Sequence, residues 1–238
     1  ADDKLIKIEK VMGLDPKGAL LTSILAKKRA VGATHVLIDI PFGENAKVKN
    51  KKEANKLKKQ FLKLGKRLGM KLKVILTNGS EPIGRGIGPA LEARDVLKVL
   101  KNEEDAPEDL KKKSIMMAGI LLKMVGKGNE KIAKEILESG KAYDKMKEII
   151  KAQEGKPDVK TSDIMVGKYS YIFESKRGGI INMIDNSMIN KIARFAGAPG
   201  DKKAGIYLLV HKGDQVKKGD KLFIVYSSSN EKLKHSLH

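Results

Sequence analysis

The 238-residue chain contains no cysteine and no tryptophan, and aromatic residues of any kind make up only 4% of it. Without cysteine there is neither a disulfide nor a thiolate metal centre, so stability must come from a packed core, and the composition suits a reducing, cytoplasmic setting. No apolar run approaches the roughly 20 residues that a helical membrane span needs, so no membrane partner is expected. The scarcity of aromatics also removes the usual stacking platform for single-stranded nucleic acid, because no basic run is interleaved with rings. The histidines at 35, 211, 235 and 238 show no metal-ligand spacing.

Positive charge, in contrast, is abundant. Lysine and arginine total 49 against 29 acidic residues, a formal net charge of +20. Such a surplus raises the alternative of a basic nucleic-acid-binding module, held by phosphate contacts and steeply salt-dependent. The distribution argues against it. Over residues 50–68, Leu57, Phe61, Leu64 and Leu68 make one apolar stripe and lysines fill the remaining positions, which is the pattern of a solvated helix surface. Nucleic acid is therefore not the expected partner, although the field would draw small anions such as phosphate. The plentiful Lys, Glu and Ile would suit a heat-adapted host.

Apolar periodicity and turn residues predict a helix over 15–31, opened by Asp15 and Pro16 and ended by Gly32. A buried strand follows over 33–40, then a polar loop over 41–49, a helix over 51–68 and a strand over 71–77. Residues 78–88 form a glycine-rich loop, and Pro89 opens the next helix. This alternation is the grammar of an α/β domain with parallel strands, whose ligands bind at the carboxyl ends of the strands, here loops 41–49 and 78–88. The glycine loop would leave backbone N–H groups beside a helix N-terminus, able to receive an anionic or polar ligand, so it is expected to be a site or the scaffold of one. Its G-x-G-x-G spacing lacks the last glycine of a dinucleotide fingerprint.

Residues 107–153 read as helical, with Met116, Met117 and Met124 as core filler. Beyond a linker near 155 the composition changes to short alternating segments. Strands are expected over 206–211 and 222–226 with a turn between them, and a helix over 186–197. The expected organisation is therefore a parallel-sheet α/β part with helical segments over residues 1–155 and a C-terminal, β-rich α+β domain over 156–238.

In order along almost the whole chain, five motifs carry a family resemblance: Leu21-Thr-Ser-Ile-Leu-Ala-Lys-Lys28, Gly32-Ala-Thr-His-Val-Leu-Ile-Asp-Ile-Pro-Phe-Gly43, Pro82-Ile-Gly-Arg-Gly-Ile-Gly-Pro-Ala-Leu-Glu-Ala-Arg94, Ile136-Leu-Glu-Ser-Gly-Lys-Ala142 and Gly213-Asp-Gln-Val-Lys-Lys-Gly-Asp220. Together they resemble the thymidine and pyrimidine-nucleoside phosphorylase family, most closely its archaeal nucleotide branch. The last motif also looks like a hairpin of biotinyl/lipoyl-type domains, but no Met-Lys-Met attachment tripeptide accompanies it. The family's earlier segments, including its phosphate-holding glycine/serine/threonine-rich loops, have no counterpart here. The expectation is thus a fragment that is inactive alone.

The resemblance implies phosphorolysis of nucleoside 5′-monophosphates (AMP, also CMP or UMP) to free base and ribose 1,5-bisphosphate, with inorganic phosphate as co-substrate and no metal or organic cofactor. It further implies a homodimer or higher homo-oligomer. Asp15 matches the proposed proton donor of the nucleotide branch, Ser23 a serine contacting nucleotide or base, Lys27 a base-contacting lysine, and Lys47 a nucleotide-binding lysine. The family's base-contacting arginine has no counterpart near residues 7–9, which favours a nucleotide over the alternative, a thymidine or pyrimidine nucleoside. The residue types suit the chemistry. The leaving base gains negative charge as the N-glycosidic bond breaks, so an acid or cation beside it lowers the barrier. Ser23 and Lys27 are i and i+4 and share a helix face. Asp15 is equally placed to cap the helix, and proton donation would require its pKa to rise well above about 3.9.

Overall fold

The computed structural model describes residues 17–237. Its first unit, made of the described residues up to Phe42 and then Lys47–Thr77, begins with α1 (Lys17–Ala30), β1 (His35–Phe42), α2 (Lys51–Arg67) and β2 (Lys71–Asn78). Val36, Ile38 and Ile40 alternate along β1 with less buried residues, the period-two signature of a strand with one covered face. At the start of both strands the Lys71 N–H donates to the Thr34 carbonyl at 2.8 Å. Near their ends Thr77 Oγ1 donates to Asp39 Oδ1 at 2.7 Å. The two strands therefore run in parallel, with α2 as the crossover that parallel pairing requires. Helix α2 begins where Asn50 Oδ1 accepts the Glu53 N–H at 2.9 Å, a side-chain cap for an otherwise orphaned donor. Its stripe buries Phe61 and Ala54 against Leu25, Val36, Ile38, Ile40 and Val74.

The second unit holds Gly43–Ala46 and everything described from Asn78 onward. Its helical part is α3 (Pro89–Leu100), α4 (Glu108–Met124), α5 (Glu130–Glu138) and α6 (Lys141–Ala152), packed around Val99, Ile115, Ala133 and Leu137. Its strands are β3 (Gly86–Ile87), β4 (Tyr169–Glu174), β5 (Gly179–Ile180), β6 (Gly205–Leu208), β7 (Gln215–Val216) and β8 (Lys221–Ser227). Four of them form an antiparallel sheet in the order β3-β6-β8-β4, and β5 pairs with β7 in a small ribbon. Helices α7 (Asn186–Ala196) and α8 (Asn230–Ser236) cover the sheet, burying Ile189, Ala193, Ala196 and Leu233 against Ile206, Leu208 and Val225. The buried Ser227 hydroxyl donates to the Ala196 carbonyl at 2.7 Å, so the strand–helix seam carries no unpaired hydroxyl.

The mixed α/β architecture, with a C-terminal α+β part, agrees with the sequence expectation. Three details differ. Gly86 and Ile87 are an edge strand and not only a loop, pairing with Tyr207 and Ile206. The strand expected over 206–211 ends at Leu208, and α8 was not foreseen. Residue 155, where composition changes, lies inside the second unit. Helix α3 is held to the sheet partly by Lys98, whose ammonium pairs with Asp105 and stands 5.8 Å from the Tyr207 ring centroid. Burial opposes its charge, but Asp105 and Tyr207 raise its pKa on balance. Among the described residues no helix is long and apolar enough to cross a membrane.

The turn between α7 and β6 is pinned by Asp201, which accepts the Lys203 N–H at 2.9 Å and the Ser228 N–H at 3.2 Å. Burial acts to raise its pKa, but these donors and nearby Lys232 prevail and hold the carboxyl below its usual range. A carboxylate with a depressed folded pKa contributes stability that is complete above its unfolded value, about 3.9, and fades as pH falls through the folded value. The Asp201→Asn variant should therefore melt at a lower temperature than the parent at pH 7, and the gap should narrow steadily below about pH 4. Thermal melts across that range check it; a gap that stays constant would assign the effect to shape and not to charge.

Candidate functional site

The loops after β1 and β2 are where a sheet of this kind receives ligands, so their polar groups come first. In the glycine-rich loop, the Gly84 N–H donates to Asp109 Oδ2 at 2.9 Å. The Arg85 and Gly86 N–H groups both donate to Asp95 Oδ2 at 2.7 Å, and the Gly88 N–H donates to Glu92 Oε1 at 3.1 Å. Four amides that would have faced an anionic ligand are taken by the protein's own carboxylates. Of the two expectations for this loop, a site or the scaffold of one, the bonds fit scaffold. Hydrogen bonds from two amides suit Asp95, which is only 2% exposed. Gly88 has φ +115°, and a Cβ there would fall 2.4 Å from the Ala204 carbonyl oxygen, so only glycine fits ahead of Pro89.

The two strand-end loops also touch each other within the second unit. A Cβ on Gly43 would lie 2.9 Å from the Ser80 nitrogen and 3.1 Å from its Cα, a backbone approach that excludes any side chain. Asn78 Oδ1 accepts the Ser80 N–H at 3.0 Å. Asn186 Nδ2 donates to the carbonyls of Asn45 at 3.3 Å and Gly79 at 3.0 Å. Glu81 Oε2 accepts the Lys212 N–H at 3.0 Å and lies 3.7 Å from His211 Nδ1. None of Asp95, Asp109 or Asn186 was singled out from sequence.

The expected ligand-binding side chains stand in the first unit. Ser23, half-buried, and Lys27, exposed, occupy one face of α1 a turn apart, and the exposed Lys47 stands on the loop following β1. The helix thus brings Ser23 and Lys27 together, while Lys47 is carried by a separate element. Asp15 lies outside the described residues. Glu92 and Arg94 hold structure: Glu92 caps Gly88, and Arg94 Nε donates to the Ile164 carbonyl at 2.8 Å. Among the described residues no group of three or more His, Asp or Glu is arranged to hold a metal ion. An open groove of about 500 Å³ lies between the start of α3 and α7, with Glu92 and Arg194 in its walls. None of the expected site residues lines it.

Comparison with known proteins adds two findings. Residues 180–238 match the family described as Pyrimidine nucleoside phosphorylase C-terminal domain. Along its whole length the chain is similar to proteins named AMP phosphorylase. That of Pyrococcus furiosus is 49% identical over 237 residues, covering 98% of this chain and 47% of that protein. Those of Pyrococcus horikoshii and Methanocaldococcus jannaschii are each 48% identical, over 241 and 242 residues, covering 100% of this chain and 48% of each relative. The chain therefore spans about half the length of the curated relatives it matches. The resemblance to the archaeal nucleotide branch seen in the motifs holds across the full alignment.

The arrangement around Asp95 carries a direct test. Asp95→Ala leaves two inward amides without their acceptor and should destabilise the protein by about 2–3 kcal/mol, the cost of leaving buried donors unpaired. Asp95→Asn keeps an acceptor oxygen without the charge and should cost roughly half as much. Urea unfolding of the three proteins measures both values. Equal stability of Asp95→Ala and the parent would remove the carboxylate from its place as the loop's anchor.

Proposed function

We propose that this chain is the part of a nucleoside 5′-monophosphate phosphorylase that supplies its base- and nucleotide-contacting residues, the phosphate-holding part lying elsewhere in a longer protein. The observation that carries the reading is identity of 49% along 98% of the chain to a protein named AMP phosphorylase. The structure supports it by offering Ser23 and Lys27 on one face of α1 and Lys47 on the loop after β1, the strand end at which such sheets take ligands. In this reading residues 1–155 form part of the helical lobe and the α/β domain, residues 156–238 form the C-terminal domain, and the protein works as a cytoplasmic homo-oligomer in a heat-adapted archaeon.

The reaction breaks the bond between C1′ of the ribose and a ring nitrogen of the base. An oxygen of inorganic phosphate forms the new bond to C1′, giving ribose 1,5-bisphosphate, and the base leaves with the electron pair of the broken bond. Asp15 gives that base its proton. Lys27 places a positive charge where negative charge develops, which favours the transition state over bound substrate. Ser23 hydrogen-bonds the nucleotide or base, and Lys47 binds the nucleotide through its 5′-phosphate, a group remote from the bond being broken.

Phosphate-dependent release of adenine from AMP, followed with the full-length protein beside this chain and with adenosine and thymidine as controls, tests the reading. Release from AMP by the full-length protein alone is the expected result. Turnover of the nucleosides only would make the protein a pyrimidine-nucleoside phosphorylase instead. Within the full-length protein, Lys27→Ala should lower kcat/KM for AMP by about 100- to 1000-fold, the usual loss on removing one electrostatic stabiliser of a transition state. Lys47→Ala should raise KM for AMP about tenfold and leave any residual reaction with adenosine unchanged, because adenosine has no 5′-phosphate for it to bind.

A further inference from the structure

Gly43–Ala46 belong to the second unit, although Phe42 before them and Lys47 after them belong to the first. Asn186, the first residue of α7, holds this four-residue excursion in place. Its Nδ2 donates to the Asn45 carbonyl at 3.3 Å and to the Gly79 carbonyl at 3.0 Å. One side-chain amide thus ties together the loops that follow β1 and β2, from a position 141 and 107 residues further along the chain. The backbone approach of Gly43 to Ser80 closes the same seam. Asn186 is not needed to start its own helix, because the Asp185 carboxylate caps α7 by accepting the Ser187 and Met188 N–H groups at 2.8 and 3.1 Å. The helix itself is a firm post, buried through Ile189, Ala193 and Ala196.

We propose that Asn186 is a positioning residue for nucleotide binding: by fixing Asn45 it sets the path of the loop that carries Lys47 two residues later. The inference rests on the reading of Lys47 as the nucleotide-binding lysine. Its physical basis is preorganisation. A polar loop that must order itself around a ligand gives up conformational entropy on binding, whereas a loop already tethered to a rigid helix gives up less. Only a side chain with two N–H donors can address both carbonyls at once, which an amide does and a carboxylate does not. The role is one of placement; Asn186 acts through Lys47 and not on the reacting atoms. It also gives the C-terminal part of the chain a hand in substrate affinity.

Two variants of the full-length protein test this, Asn186→Asp and Gly43→Ala. Aspartate keeps the side-chain shape and suits the first turn of a helix, but a carboxylate has no N–H to donate, so both bonds are lost. Hydrogen exchange should speed up about fivefold or more over residues 43–46 and 78–80, with α7 unchanged. KM for AMP should rise about five- to tenfold, with kcat held within about twofold. Unaltered exchange in those segments would overturn the tether. Faster exchange with KM unmoved would reduce Asn186 to a structural tie and overturn its role in binding. A parent protein that releases no base from AMP overturns the underlying reading and the nucleotide role with it, and the exchange data then still report separately whether the tether exists.

Discussion

A carboxylate excluded from water must be met by donors or it costs several kcal/mol of stability. Asp95 is that group here: the amides of Arg85 and Gly86 both donate to its Oδ2, while its buried Oδ1 has no hydrogen-bond partner among the described residues. The pairing forces the chain leaving β2 to fold back along the first turns of α3. That course carries Gly86 and Ile87 into register with Tyr207 and Ile206 and sets Gly88 so close to Ala204 that no side chain can intervene. Helix α3, the glycine loop and the edge of the antiparallel sheet are thereby fixed by one side chain. Glu92 and Asp109 repeat the device on either side of it.

The consequence for a ligand is a division of labour. Rigid backbone is supplied by loops whose amides are spent internally, so in the reading proposed above recognition would fall to side chains: a serine and a lysine on α1 and a lysine after β1. Side chains on separate elements are selective only if those elements are held still. The buried face of α2 does so for the first unit through Phe61 and Ala54. Asn186 does so for the excursion at Gly43–Ala46. Positive charge, so prominent in the composition, is mostly spread over solvated helix faces.

Much of this was legible from the residues alone. Residues 51–68 and 71–77 were readable because an apolar stripe at helical spacing and an apolar run rich in β-branched residues are local signals. The glycine loop was found, but sequence could not choose between site and scaffold, since it shows which amides a loop possesses and not which acceptors will reach them. Asp95 offered a faint clue: it lies four residues from Leu91 and four from Val99, on the face of α3 that is buried, where an acid is out of place unless it is paired. Asn186 offered none, because its partners are carbonyls of residues remote in sequence. The strand at Gly86–Ile87 was invisible for a related reason. Two residues have no periodicity, and only the partner at Ile206–Tyr207 makes them a strand.

That short strand has a bearing on which strand edges the sheet leaves open. In the antiparallel sheet β8 protects one side of β6, and Gly86–Ile87 cover the other. A polypeptide beginning after the compositional break near residue 155 would keep α7, α8 and most of the sheet yet leave β6 with a bare row of amides and carbonyls, the template on which strands of neighbouring molecules add. Two residues supplied from the far end of the unit therefore act as a stopper against edge-to-edge polymerisation, and any excised version of this sheet has to bring its stopper along.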